Sequence, residues 1–121
     1  MMLKNILTEE HGNTVAVFTK DPNSLELNYA GVSVTGNWKI VTDVDFKTVI
    51  IYVRGDDDAK GKIIIGDVVD IVDTERGRKQ IRFTTNTLLS TGLNWPEFNG
   101  FNATNPVIYV KTEYKLIKGE K

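Results

Sequence analysis

The chain has 121 residues, of which 40% are hydrophobic and 26% charged, and these values predict one soluble globular domain spanning residues 1–121. The net charge of −1 argues against strong non-specific attraction to a nucleic-acid backbone, and the absence of cysteine excludes disulfides, thiolate metal sites and cysteine nucleophiles. Because no apolar run reaches the ~20 residues that span a bilayer and residues 1–8 lack the apolar core of a signal peptide, we expect a cytoplasmic protein with no membrane partner.

Short β-type runs separated by turn residues dominate the chain. Residues 25–29 alternate apolar and polar side chains, which is the period of a half-buried strand. Residues 48–53 are apolar at nearly every position, as is typical of a central strand that is covered on both faces. In chain order, the predicted strands comprise residues 14–18, 25–29, 32–35, 38–41, 48–53, 62–65, 68–72, 78–83 and 107–110, with an extension over 112–117.

Turn residues mark the connections between these runs. Residues 21–24 predict a turn, and Gly36-Asn37 marks a turn or a bulge. Gly66-Asp67 predicts a tight turn with the glycine at positive φ, and residues 73–77 predict a hairpin loop. The acidic residues 56–58 are typical of a solvated hairpin tip.

Helix signals are sparse. Residues 1–10 predict one or two helical turns at most. Asn94 has the features of an N-cap, because a proline lies in the following turn and a glutamate stands three residues after the asparagine. We therefore predict a short helix from Trp95 to about Gly100.

Some neighbouring runs can join into one strand, as 32–35 and 38–41 do if Gly36-Asn37 is a bulge. Seven or eight short strands without a long helix then predict a mostly-β fold, either a small closed or partly open β-barrel with one or two short helices or a compact sandwich. The barrel is preferred because closure leaves no open strand edges. In such a fold we expect Val49, Ile51, Ile81 and Phe83 to lie in one core.

Residues 84–106 are the segment most typical of a recognition site. They contain five asparagines, five threonines and a single charged residue, and they carry Trp95, Phe98 and Phe101. Structureless connections of this length are usually functional or disordered, and the large aromatic side chains argue against disorder. We therefore predict an ordered excursion that places uncharged hydrogen-bonding groups beside aromatic surface.

Five stretches of the chain resemble the PUA-like superfamily of barrels, which includes the ASCH, EVE and YTH domains. They are residues 49–54, 61–67, 77–83, 94–98 and 105–107. The resemblance covers roughly residues 46–110 and implies a PUA-like barrel that binds RNA or modified bases through an aromatic pocket. The chain departs from that superfamily in its overall charge, since PUA-like readers usually carry a basic surface.

Candidate base-binding residues follow from the aromatic and amide side chains. Trp95 and Phe98 are candidates for a platform on which a planar base stacks, with Trp38 as a second wall; the alternative is that all three are core residues. Asn102 and Asn105 are candidates for reading a base edge, as Asn reads adenine. The alternative for both asparagines is that they only shape turns.

Three arginines are candidates for contacts to phosphate: Arg54, Arg78 and Arg82. The alternative is a solvated face of arginines paired with nearby carboxylates, which contributes little.

Catalytic signals are weak. His11 is the only histidine and has no partner set, which excludes Ser-His-Asp chemistry and histidine-rich metal sites. Residues 113–115 (Glu-Tyr-Lys) are similar to the carboxylate–x–lysine element of metal-dependent nucleases, but so short a motif arises easily by chance. We therefore expect no catalysis, no cofactor and no metal.

The sequence thus predicts a non-catalytic domain that recognises a nucleotide base, whether modified or not, in RNA or DNA. The alternative is a protein-interaction or structural module that uses residues 84–106 as its contact surface, and the third class is a small metal-dependent hydrolase. The identity of the ligand, the choice between RNA and DNA, the oligomeric state and the role of residues 1–35 are left open.

Overall fold

The computed structural model describes residues 2–20, 25–28, 30–40, 45–54 and 61–111. These residues are mostly β, as predicted, with helices α1 (Leu3–Ile6) and α2 (Trp95–Asn99) and single 3-10 turns at Glu9–His11 and Glu75–Gly77. The described strands are β1 (Thr14–Thr19), β2 (Leu25–Glu26), β3 (Val32–Trp38), β4 (Thr48–Val53), β5 (Gly61–Asp73), β6 (Lys79–Thr91) and β7 (Val107–Val110). The predicted turn at 21–24, the acidic residues 56–58 and the 112–117 extension with its Glu-Tyr-Lys element lie outside the described residues.

The described strands form one mixed sheet in the order β2-β3-β6-β5-β4-β1-β7. Neighbouring strands are antiparallel except for β1 and β4, which run parallel with Thr14 opposite Thr48 and Thr19 opposite Val53. The two parallel strands therefore end side by side, and the residues that follow them emerge at the same edge of the sheet.

Strand β4 is the central strand that its composition predicts. Each residue from Thr48 to Tyr52 is buried. Successive side chains of a strand point to opposite faces, and Ile50 and Tyr52 accordingly pack on one face while Val49 and Ile51 pack on the other.

Two hydrophobic clusters therefore lie on opposite faces of the sheet. The first, which we call the helix-side core, is covered by α1 and α2 and includes Leu3, Ile6, Ala16, Ile50, Tyr52, Ile63, Ile65, Trp95, Phe98, Ile108 and Val110. The second, the inner core, includes Val15, Val17, Ile40, Phe46, Val49, Ile51, Ile64, Ile81, Phe83 and Tyr109. The prediction that Val49, Ile51, Ile81 and Phe83 share one core is confirmed.

Curling of the sheet encloses the inner core. The register of β5 against β6 shifts twice, between Ile65 and Gly66 and between Val68 and Asp70, and such bulges bend a sheet. Leu25 on β2 and Val107 on β7 consequently pack against the same cluster, although the two strands are the outermost described ones. Within the described residues β2 and β7 do not pair, so the sheet is curled but open, and its two outer strands are short.

The turn predicted at Gly66-Asp67 is wrong, because β5 continues through both residues and the φ of Gly66 is not positive. Glycine is needed there for space: a Cβ on Gly66 would lie 2.4 Å from Cδ2 of Phe83. The Phe83 ring thus packs directly over the β5 backbone. The hairpin loop predicted at 73–77 is confirmed, with Arg76 and Gly77 both at positive φ.

Of the two alternatives predicted at Gly36-Asn37, a turn or a bulge, the structure shows the bulge, and it lies inside one strand. The register of β3 against β6 shifts between Thr35 and Trp38, while β3 itself continues to Trp38.

We predict that Gly66→Ala lowers the free energy of unfolding by about 1–3 kcal/mol, because overpacking a filled core forces side chains from their rotamers. Phe83→Ala should cost about 3–5 kcal/mol by leaving a cavity. The double variant should cost less than the sum of the two, because the new methyl group then occupies space that the ring has vacated. Urea denaturation followed by circular dichroism measures all three, and strictly additive losses would show that the ring does not fill the space above Gly66.

Candidate functional site

A cleft of about 320 Å³ opens where the parallel strands β1 and β4 end. Phe18 on β1 and Tyr52 on β4 are directly opposed, so their side chains lie on the same face of the sheet. Lys20 and Arg54, which directly follow the two strands, line the cleft on this side as well. The beginning of α2 and the loop after it supply the remaining wall. The lining residues are Phe18, Lys20, Tyr52, Arg54, Asn94, Trp95, Pro96 and Thr104.

An aromatic cluster forms the wall and floor of the cleft. The Phe18 ring is stacked on Trp95, with centroids 5.8 Å apart and an interplanar angle of 10°, and it meets Tyr52 edge-on at 5.4 Å. Phe98 lies beneath, 5.5 Å from Tyr52 and 6.3 Å from Trp95. These separations lie in the range in which aromatic pairs attract one another, so each ring holds the next in position.

Tyr52 ties the floor of the cleft to the connection that follows β6. Its hydroxyl donates to the Leu93 carbonyl at 2.6 Å. Its ring lies against Gly61, where a Cβ would come within 2.3 Å of Cζ. The buried tyrosine thus makes a hydrogen bond with its polar end and needs a glycine beside its ring.

Helix α2 holds Trp95 through its capping groups. The Asn94 side chain accepts a hydrogen bond from the Glu97 amide at 3.0 Å, Pro96 lies in the first turn, and Gly100 ends the helix in the left-handed conformation. The predicted short helix and its cap are confirmed. The Trp95 indole N–H donates to the Asn105 carbonyl at 2.8 Å, which fixes the ring against the loop.

Asn99 organises the loop after α2. Its side-chain oxygen accepts from the amides of Phe101 and Ala103, at 2.9 and 3.4 Å, and its side-chain nitrogen donates to the Ala103 carbonyl at 3.0 Å. Asn99 is fully buried, so this asparagine is a structural element of the loop. Thr104, which lines the cleft, directly follows Ala103, the residue that Asn99 holds.

Two cations line the cleft. Lys20 Nζ lies 5.9 Å from the centroid of the Phe18 ring, and the exposed Arg54 follows β4 directly. The described residues that line the cleft include these two cations and no carboxylate. An anionic group that entered it would therefore meet two positive charges beside an aromatic wall, although the chain as a whole carries a net charge of −1.

Two of the residues that were predicted from the sequence to bind a ligand, Trp95 and Arg54, line the cleft. Phe98 is 0% exposed and supports the other rings from beneath. Trp38 packs against the inner core, on the opposite face of the sheet, and its indole N–H donates to Thr35 Oγ1 at 3.0 Å. The two tryptophans therefore do not form facing walls.

The two asparagines of the predicted base-reading set lie in the loop that holds Trp95. Asn105 contributes its backbone carbonyl to the indole, and its side chain is exposed. Asn102 is exposed and adopts a φ of 52°, a left-handed conformation that asparagine tolerates better than most residues. Both asparagines are close in sequence to Thr104, which lines the cleft, but neither of them lines it.

The remaining arginines lie towards the other end of the β5–β6 hairpin. Arg82 forms a two-pronged ion pair with Asp70, and its hydrogen bonds hold the pKa of the Asp70 carboxyl below its usual value. Arg78 donates to the Asn37 carbonyl at 3.4 Å. The cleft adjoins the opposite end of the hairpin, where Gly61 faces Thr91, so these two arginines are not part of it.

Sequence reasoning missed Phe18, Lys20 and Tyr52. The signal available was the alternation along β1, which predicts that Phe18 and Lys20 share a face. The parallel pairing that brings this face beside Tyr52 involves residues about thirty positions away and leaves no local signal.

The predicted excursion over residues 84–106 is also partly wrong. Its first eight residues belong to β6, which extends to Thr91, and the connection proper begins at Gly92. The stretch from Thr84 to Thr91 lacks regular alternation of apolar and polar residues because its less exposed positions include Thr85, Thr87 and Thr91, while Leu88 is exposed.

Comparisons with protein-family models, with curated proteins and with solved structures found no match to this chain. In the part of the chain that the structure describes, no helix has the length and apolar character needed to cross a membrane. The described residues also contain no group of three or more His, Cys, Asp or Glu side chains that could hold a metal ion. The function is therefore proposed from the geometry of the cleft.

Trp95 is 3% exposed, and this burial changes what its removal is expected to do. A base-stacking platform on the surface could be removed with the fold intact, but a buried indole with a satisfied N–H cannot. We predict that Trp95→Ala lowers the free energy of unfolding by about 3–5 kcal/mol. Val69→Ala, at a position 51% exposed, is the control and should change it by less than about 0.5 kcal/mol. Equal losses for the two variants in urea denaturation would contradict the core role of Trp95.

Proposed function

We propose that the cleft binds a nucleotide, with the base against Phe18 and the phosphate between Lys20 and Arg54. The protein then acts as a non-catalytic reader of a base in RNA or DNA. The observation that carries this proposal is the combination, in one open cleft, of a stacked aromatic pair with two cations and no carboxylate among the described lining residues.

Phe18 is the side chain suited to contact the base. It is only partly buried, whereas Trp95 and Tyr52 behind it are almost fully buried. Stacking of a base on an aromatic side chain contributes about 1–3 kcal/mol and requires no charge. Phe18 thus presents the surface, and the buried rings keep it in place.

Polar groups at the rim suit the edge of a base. The side-chain oxygen Oδ1 of Asn94 accepts the capping hydrogen bond of α2 from the Glu97 amide, which leaves the side-chain nitrogen Nδ2 to donate. Thr104 adds an exposed hydroxyl that can donate or accept. At about 320 Å³ the cleft lies at the lower end of ligand-pocket sizes, roughly 300–1,000 Å³, which suits one nucleotide rather than a longer segment.

The low net charge limits how such a reader binds. With a net charge of −1, the protein as a whole does not attract a polyanion, and affinity comes from the two local cations and from stacking. Each phosphate contact to a single strand contributes a slope of about −0.7 in the logarithm of affinity against the logarithm of salt concentration. A slope no steeper than about −1.5 follows for two cations.

For the fold, we propose a partly open barrel of the PUA-like type. The packing of residues from β2 and β7 against one inner core supports a barrel-like curvature. Because β2 and β7 are short, little unpaired edge is left at the ends of the open sheet.

We predict that adenosine 5′-monophosphate at millimolar concentration shifts the amide resonances of Lys20 and Arg54, and that Phe18→Leu weakens its binding at least about five-fold, the lower limit for one stacked base. Phe46→Leu is the matched control, because Phe46 is buried in the inner core and stacks on Tyr109. This variant should lose stability but keep binding. If no nucleotide or single-stranded oligonucleotide shifts resonances of the cleft, the proposed function is wrong.

We predict that Arg54→Gln weakens binding of the nucleotide monophosphate but leaves binding of adenosine unchanged, because only the phosphate contacts the guanidinium. Arg78→Gln serves as the control, since Arg78 is exposed but lies away from the cleft. Titration by NMR at two salt concentrations measures both effects. Equal weakening by the two substitutions would indicate general electrostatic attraction in place of a phosphate site.

A further inference from the structure

Strand β6 extends beyond the neighbour on one of its sides. Pairing with β3 ends where Val32 lies opposite Thr84, whereas pairing with β5 continues until Gly61 lies opposite Thr91. Among the described residues, residues 85–90 of β6 therefore pair with a strand on one side only. We call these residues the open edge.

The open edge lacks the features that usually protect an unpaired strand. Natural edges are blunted by short length, charged side chains, proline or bulges. Strands β2 and β7 are short, with two and four residues. The open edge has six residues without charge or proline, and the one register shift in this part of β6 lies near its start, between Thr87 and Thr85.

An apolar side chain stands in the middle of this edge. Leu88 is 54% exposed, the largest exposed fraction among the large hydrophobic residues described. It lies opposite Ile64, which is buried in the inner core, and directly opposed residues of two strands point to the same face. A strand placed beside the open edge would cover Leu88 and extend the inner core.

We infer that the open edge pairs with the open edge of a second copy of this chain, antiparallel about a two-fold axis. Centred on Leu88, this register sets Leu88 against its own copy, Asn86 against Ser90 and Thr87 against Leu89. The exposed Leu88 is then covered by an apolar side chain, and no two charges are opposed. In a two-fold interface both copies contribute the same patch, so the patch must be complementary to itself. Like charges that are directly opposed destabilise a strand pair. An edge without charge is therefore compatible with itself.

The same features disfavour a charged partner, which would bring unpaired charges against an uncharged strand. One strand pair buries a small area, in the size class of weak and transient interfaces. The dimer is therefore expected to form as protein concentration rises, with the two sheets joined into one across β6. It does not depend on ligand binding in the cleft.

Two lysine variants at positions of similar exposure test the dimer. Leu88→Lys places two like charges in direct opposition, while Val69→Lys introduces the same charge at a position 51% exposed on β5. In sedimentation equilibrium up to millimolar concentration, the unmodified chain and Val69→Lys should dimerise and Leu88→Lys should stay monomeric. Circular dichroism confirms that both variants are folded.

Cross-linking gives a second readout, since the chain contains no cysteine. Leu88→Cys introduces a single thiol at the proposed axis, where directly opposed Cβ atoms lie about 4.5–5.5 Å apart. A short bismaleimide should join two copies faster than it joins copies of Val69→Cys. A chain that is monomeric at all concentrations, a dimer that survives Leu88→Lys, or equal cross-linking of the two thiols would overturn the inference; in the first case an extended segment of another protein becomes the occupant to test.

Discussion

The parallel pairing of β1 with β4 determines where the candidate site forms. Thr19 lies opposite Val53, so the two strands end together and release Lys20 and Arg54 at the same edge of the sheet. The same register places Phe18 beside Tyr52, in edge-on contact at 5.4 Å. An antiparallel arrangement would have put the end of one strand beside the start of the other and separated the two cations.

Burial of β4 on both faces imposes two different covers on the sheet. On one face the cover is α1 and α2, and Trp95 and Phe98 insert from α2 between the helices and the strand. On the other face the cover is the sheet itself, curled by the bulges of β5 and β6 so that Ile81 and Phe83 reach Val49 and Ile51. The long hairpin that provides this second cover also extends past β3, which leaves the open edge.

The aromatic residues at the candidate cleft differ in burial and therefore in role. Trp95 and Phe98 are buried and satisfy the packing of the helix-side core, while Phe18 remains partly exposed above them. A buried indole cannot stack on a ligand without rearrangement of the core, but it can hold another ring rigid. Such rigidity reduces the ordering cost of binding, so burial of Trp95 is compatible with recognition at Phe18.

Local features of the sequence determined the mostly-β character, the central position of β4, the hairpin loop at 73–77, the bulge at Gly36-Asn37 and the capped helix at Trp95, because each depends on side-chain alternation, turn chemistry or capping among neighbouring residues. The tertiary structure decided the rest. The prediction for Gly66 was wrong because glycine is required there to leave space for the Phe83 ring of the neighbouring strand. A glycine in a turn and a glycine beneath a ring look the same in the sequence. Likewise, Trp95 joins Phe18 while Trp38 faces the opposite core, because strand order and register, which long-range packing selects, set which distant side chains meet.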